Sequence, residues 1–330
     1  MFECHVCRAS AATVLVNAQG LQAEVQLRQQ FINERVSRPL SPPEQKDLTD
    51  FFHNEEADLL VCSGCGLLVR SEHNAPAAGD YSEDAYDFAT IERLYPEYLK
   101  AFQAKETPYR HLLGANARVV ELGSHYGAFL EVATQWGWQA TGVDVGEDSS
   151  RFARSRGLEV RIGEFAECGF ESASRDGVFI WNCFDQIEDP TRVLEEATRV
   201  LQPKGLLVVR TPSGFFYTLC RTLLSNKSIS PQARGFLNRA LAYNNLLGFP
   251  YRYGYSRATL ELLIGRFGYE LEGMVNSELL TLPLPEHPDW VAAEERDIHE
   301  GVAMLERSIL RSANGELAGP WIELWFRASE

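Results

Sequence analysis

The chain has 330 residues, with 31 Lys and Arg against 46 Asp and Glu, a formal net charge of −15, 45% hydrophobic and 11% aromatic content. This ordinary globular composition excludes a disordered tail, and the length suffices for about two to three folding units with substantial cores. No run reaches the ~18 apolar residues of a membrane span, the acidic start MFECHVC lacks a signal-peptide pattern, and global acidity argues against nonspecific nucleic-acid binding, so a cytoplasmic protein without nucleic-acid partner is expected.

Two C-x-x-C pairs come first: Cys4 with Cys7, and Cys62 with Cys65 in VCSGCGLLV. Four thiolates so paired suit tetrahedral zinc, because each short loop sets two sulfurs about one ion while backbone amides turn toward them. A redox C-x-x-C would come as one pair in a thioredoxin-like context, and disulfides need an oxidising compartment. The residues therefore predict a closed, structural zinc centre on Cys4, Cys7, Cys62 and Cys65, with His5 or His53 as substitute ligands. Gly66 relaxes the backbone where the chain leaves the second pair, and Arg8 holds the matching place in the first. Between the pairs, LQAEVQLRQQFINERV has a helical pattern and SRPLSPPE breaks it, giving a ribbon with a helical insertion. Cys168, Cys183 and Cys220 are read as small buried apolar residues.

From Ala117 to Pro212, short apolar runs alternate with helical stretches: ARVVELG, FLEVATQWG, QATGVDV, DSSRFARSRG, LEVRIG, DGVFIWNCF, TRVLEEATRVLQPKG and LLVVRTP. That alternation predicts an α/β fold with a parallel, doubly wound sheet, its ligand lying beyond the carboxyl ends of the strands. The first strand runs into VVELGSHYGAFL, where Gly123 and Gly127 precede a helix. A dinucleotide fingerprint would have G-x-G-x-x-G, but here Glu121 stands two places before Gly123. A carboxylate there repels a pyrophosphate and accepts hydrogen bonds from a cationic ligand, which points away from NAD.

At the tip of the second strand, Asp144 offers two acceptors to the two hydroxyls of a ribose, or else caps a helix. Glu164 and Phe165 follow the third strand, where an adenine amino group and ring face would be held, Glu164 being otherwise a solvated turn acid. Asn182 and Cys183 end the fourth strand, and Asp189 with Pro190 starts the next helix.

This ordered series, ELGSHYGAF, GVDV, IGEFAE, WNCFDQIEDP and LQPKGLLVVRTP, resembles the class I S-adenosylmethionine-dependent methyltransferases. The resemblance implies a Rossmann-like seven-strand sheet, with Glu121, Gly123 and Gly127 facing the methionine part of the cofactor, Asp144 the ribose, Glu164 and Phe165 the adenine, and Asn182 the floor beneath the sulfonium. Two C-x-x-C pairs ahead of such a domain resemble zinc-bearing small-molecule methyltransferases, including sugar C-methyltransferases. The implied organisation is a zinc-binding region over 1–85 and a methyltransferase domain over 86–330. Many relatives have Glu-His where this chain has Asp185 and Gln186. Glutamine takes no proton at neutral pH, which leaves Asp185, His125 or Glu188 as candidate bases.

The last third begins with an insertion, 213–255, rich in aromatics and lying in an acid-free stretch. From Ala197 to Leu260 there are nine bases, Arg221 and Arg252 among them, and no Asp or Glu. The expected role is a substrate cover that favours an anionic acceptor; the competing reading is a solvated face paired with acids elsewhere in the fold. Tyr251, Tyr253 and Tyr255 would share one face of an extended segment, stacking on a ring or packing on the core, and FFYTLCRTLL would meet either the core or a membrane surface. RATLELLIGRFG reads as a helix, YELEGMV and PWIELWFRA as strands, and WVAAEERDIHEGVAMLERSILRSANG as a helix between them. The implied function is methyl transfer to a small or medium-sized, anionic acceptor such as a nucleotide-linked sugar or natural-product intermediate. The alternative is a catalytically silent cofactor-binding and zinc-ribbon interaction module.

Overall fold

A computed structural model of the chain describes residues 2–42, 57–71, 88–277, 286–310 and 318–329. His53 lies outside the described residues. The elements run β1 (Ala12–Val16), α1 (Ala18–Asn33), β2 (Leu59–Cys62), β3 (Leu68–Arg70), α2 (Phe88–Gln103), α3 (Glu106–Leu112), β4 (Arg118–Leu122), α4 (Ala128–Gln135), β5 (Gln139–Asp144), α5 (Glu147–Ser155) and β6 (Val160–Ile162). They continue with β7 (Arg175–Trp181), α6 (Pro190–Val200), β8 (Leu201–Pro212), α7 (Gly214–Ser225), α8 (Pro231–Tyr243), β9 (Tyr253–Gly254), α9 (Arg257–Gly265), β10 (Tyr269–Ser277), α10 (Asp289–Leu310) and β11 (Trp321–Ala328).

Two sheets result. The larger has seven strands in the order β10-β11-β8-β7-β4-β5-β6, the Rossmann-like arrangement expected from the alternating pattern. Strands β6, β5, β4, β7 and β8 pair in parallel. Because helices cover both faces of such a sheet, its central strands are near-continuous apolar runs, and Val119, Val120, Val178, Phe179, Ile180 and Leu206–Val209 are fully buried. The smaller sheet, β1-β2-β3-β9, is antiparallel.

By compactness the chain divides into two units. One comprises Met1–Ala75, Thr211–Leu263 and Val275–Glu323; the other comprises Pro76–Arg210, Ile264–Met274 and Leu324–Glu330. The second unit is organised around an aromatic core in which Phe129, Phe179 and Trp181 pack at centroid separations of 4.8 to 5.8 Å. Helix starts follow the capping chemistry. Asp189 accepts the Arg192 N–H at 3.0 Å ahead of Pro190, where the missing proline N–H costs nothing. That helix stops at Val200, earlier than the sequence pattern predicts, because Leu201 is extended and pairs with Arg175 as β8 begins.

The first unit has its own core, built from Leu21, Phe31, Leu59, Leu68, Phe216, Cys220, Leu241 and Tyr243. The insertion after β8 contributes α7 and α8 to that core, with Phe216, Tyr217 and Cys220 fully buried, so its apolar face meets protein. Among the described residues no helix is long and apolar enough to cross a membrane.

Candidate functional site

Within the second unit, β4, β5 and β7 end side by side. The turn after β4 has Gly123 at φ +71°, His125 at +45° and Gly127 at +79°, left-handed angles that glycine adopts without strain. A Cβ on Gly123 would stand 2.7 Å from the Cys183 sulfur, so the turn passes too close to the end of β7 for any larger residue. Gly127 then opens α4. Asp144, at the end of β5, accepts the His125 N–H through Oδ2 and the Gly146 N–H through Oδ1, both at 2.7 Å. It thus combines a turn-capping role with a second lone pair on each oxygen for a ligand.

The electrostatics of this cleft are those of crowded acids. Glu121 is 3% exposed, and its Oε2 has no hydrogen-bond partner. Burial, and then the charge of Asp144, push its carboxyl well above the usual range. Asp185 is 4% exposed with Oδ1 unpartnered, and burial raises it to about 7. Cys183 is held well above the ordinary thiol range by burial first and then by Asp185, Asp144 and Glu121. The His125 side chain is open to solvent, while its main-chain N–H is held by Asp144. Its ring lies 3.6 Å from that of Tyr126. A cation entering this cleft would relieve the carboxylates.

Glu164 is exposed and stands at the start of the 3-10 turn Phe165–Glu167 that follows β6, its side chain making no capping bond. The Phe165 ring is 1% exposed, edge-on to Phe170 at 5.8 Å, and so belongs to the core behind that turn. Asn182 is exposed at the end of β7 in a left-handed conformation, φ +60°. Glu188 is exposed on the same connection. Sequence reasoning missed α2: Ile91 and Tyr95 pack with Tyr126, Ala128 and Phe152 immediately behind the glycine turn. Its apolar spacing was the available signal, and Pro96 in mid-helix obscured it. A cavity of about 270 Å³ lined by Gly114, Asn116, Asp176, Gln202 and Lys204 lies at the amino ends of β4 and β7, away from this cleft.

In the first unit the four N-terminal cysteines come together, with all sulfurs within 4.8 Å of one another. Cys4 and Cys65 are 3.6 Å apart, and Cys7 and Cys62 are 3.5 Å apart. Four sulfurs about one zinc, each ~2.3 Å from it, would lie about 3.8 Å from each other, so the donor set fits. The two loops are alike. The N–H of Arg8 donates to Cys4 O at 2.8 Å and that of Gly66 to Cys62 O at 2.9 Å, with φ of +64° and +79°. Burial raises the Cys62 thiol, but the amides of Cys65 and Gly64 and the neighbouring thiols outweigh it and lower it to about 7. His5 is turned to the Tyr255 hydroxyl, 3.0 Å from Nε2, and its ring lies 4.5 Å from that of Tyr253.

Two bases of the insertion form ion pairs within their own unit. Arg221 pairs with the buried Glu24 at 2.7 Å; Glu24 also accepts from Tyr217 at 2.9 Å and from the Gly248 N–H at 2.8 Å. Arg239 pairs with Glu294, and Arg252 is 6% exposed. Arg221 and Arg239 are thus held by ion pairs within the unit, as the paired reading of the acid-free stretch expects.

Residues 120–209 match the family described as "Methyltransferase domain". Over 99 residues the chain is 39% identical to the C-methyltransferase NovU of Streptomyces niveus, covering 28% of this chain and 24% of that protein. Over 112 residues it is 30% identical to the ubiquinone biosynthesis O-methyltransferase of Xanthomonas oryzae pv. oryzae (strain PXO99A), covering 31% and 47%. The chain therefore spans about a quarter and about half of these two relatives. Among solved structures, Haemonchus contortus phosphoethanolamine N-methyltransferase 2 in complex with S-adenosyl-L-methionine is similar at 14% identity and a TM-score of 0.46, over 80% of this chain and 62% of that one.

Proposed function

We propose, from the premise that residues 120–209 are a class I S-adenosylmethionine-dependent methyltransferase domain, that the chain methylates a small or medium-sized acceptor. The observation that carries this reading is the pair of strand-end carboxylates, Glu121 and Asp144, set about a glycine turn, with Glu121 buried and one of its oxygens unpartnered. S-adenosylmethionine, when bound, supplies an electrophilic methyl carbon on a positively charged sulfur. The work of the protein is to align a nucleophile with it and exclude water.

Each residue has a part in that alignment. Glu121 balances the positive charge of the donor, and Gly123 with Gly127 lets the ligand approach the main chain. Asp144 takes the ribose hydroxyls on its second lone pairs. Glu164 receives the adenine amino group against the wall backed by Phe165, and Asn182 forms the floor. Where the acceptor must lose a proton, Asp185 is the first candidate, because its burial sets it to exchange protons near neutral pH; His125 and Glu188 are the others.

The acceptor class proposed for assay is a nucleotide-linked sugar or natural-product intermediate, with C-methylation first because of the likeness to NovU. In sequence terms the proposed division is a metal-bearing region over 1–85 and the transferase over 86–330, with 213–255 governing the acceptor. The four cysteines would hold one structural zinc, with no open coordination position, in a reducing, cytoplasmic setting. Calorimetric titration of the folded chain with S-adenosylmethionine tests the core of this reading, and heat at micromolar cofactor is expected. Absence of binding at millimolar concentration would overturn it. A silent binding module would take up the cofactor yet transfer no labelled methyl group to any acceptor in a panel of sugar nucleotides and phenols.

A further inference from the structure

We infer that Arg210 and Gln186 are positioning residues that lock Asn182 in its left-handed conformation and so set the floor of the cofactor cleft; this rests on the cofactor reading proposed above. Asn182 is gripped at three points. Its N–H donates to the Arg210 carbonyl at 2.9 Å, its side-chain oxygen accepts from the Arg210 guanidinium, and its main-chain carbonyl accepts from Gln186 Nε2 at 3.2 Å. Arg210 is itself 7% exposed and in register with Trp181 where β7 and β8 end, so the grip is anchored in the sheet.

The consequence is chemical as well as conformational. With the side-chain oxygen and both main-chain groups engaged, the Nδ2 donors are what Asn182 can still offer a ligand. Gln186 then acts as a hydrogen-bond donor with no proton to exchange. A residue with φ of +60° has a natural tolerance for Asn, but glycine reaches that angle without assistance, which makes the grip separable from the residue it holds.

The test is a double-mutant cycle read by calorimetric binding of S-adenosylhomocysteine to the full chain, with melting curves confirming that each variant is folded. Gln186→Leu is expected to weaken binding about tenfold in the wild-type background but less than about twofold in the Asn182→Gly background. Gln186 is half-buried and its loss leaves the sheet anchor intact, so it carries the test better than Arg210. An equal loss in both backgrounds would overturn the inference while leaving the cofactor reading standing. Failure of the folded wild-type chain to bind S-adenosylhomocysteine would overturn both.

Discussion

The carboxylate of Asp144 receives the main-chain N–H of His125 at 2.7 Å, so the acid that ends β5 braces the turn that ends β4. One side chain thereby fixes the spacing between two strand ends and presents acceptors to a ligand. Asp144→Asn replaces one acceptor oxygen by a donor. Expected are a loss of cofactor affinity of about ten- to a hundredfold and a stability loss of about 1 kcal/mol, by calorimetry and melting respectively. Unchanged affinity would remove the ribose role from this residue.

Burial, and then the charge of Asp144, raise the Glu121 carboxyl well above its usual range. Its folded pKa lies above the unfolded one, so the empty protein loses stability as pH climbs above the ordinary carboxyl range near 4.5. Glu121→Gln should therefore melt higher than wild type at pH 8 without cofactor, yet bind S-adenosylmethionine at least about tenfold more weakly. Higher stability together with intact affinity would show that the buried acid serves no cation.

For Asp185 the direction is the same and the window is narrower, from the ordinary 3.8 up to about 7. Asp185→Asn should flatten the decline in melting temperature across that interval, since the variant has no proton to release. If Asp185 accepts the acceptor's proton, wild-type kcat rises with pH through about 7 and the variant loses that limb. A limb that survives in the variant would remove Asp185 from the proton transfer.

One zinc per chain is expected by elemental analysis of protein purified without added metal. Cys62→Ser should lower the content and the melting temperature together, because all four sulfurs fall within 4.8 Å and each donor is needed to close the site. Full metal content in the variant would argue that His5 has swung into the vacancy.

Reversing Arg221 to Glu places two carboxylates against each other where Glu24 is only 5% exposed on its side chain. The expected loss is about 3–5 kcal/mol of stability, visible as a lower melting temperature, and not a selective rise in acceptor KM. A stable variant with altered KM alone would restore this arginine to the acceptor site.

The fold was legible where local chemistry decides it. The short, β-branched and aromatic runs around Val119 and Val178, bounded by turn signals, read as covered strands, and Asp189-Pro190 spells a helix start in two letters. Glu121, Gly123 and Asp144 were legible because residues at strand ends have places fixed by the sheet, so chain position translates directly into neighbourhood. The partners of Arg221 and Asn182 were not, since Glu24 and Arg210 arrive from distant segments and no periodicity announces them. Helix α2 fell between these cases, its pattern present but interrupted by Pro96. For Phe165, sequence order located the residue beside the cleft; the direction of its ring was decided by packing on Phe170.

The smaller sheet takes its last strand from much later in the chain, where Leu68 pairs with Gly254 and Val69 with Tyr253. During synthesis, then, the cysteine ribbon leaves the ribosome with one border uncovered and must wait while the whole parallel core is translated before its missing neighbour emerges.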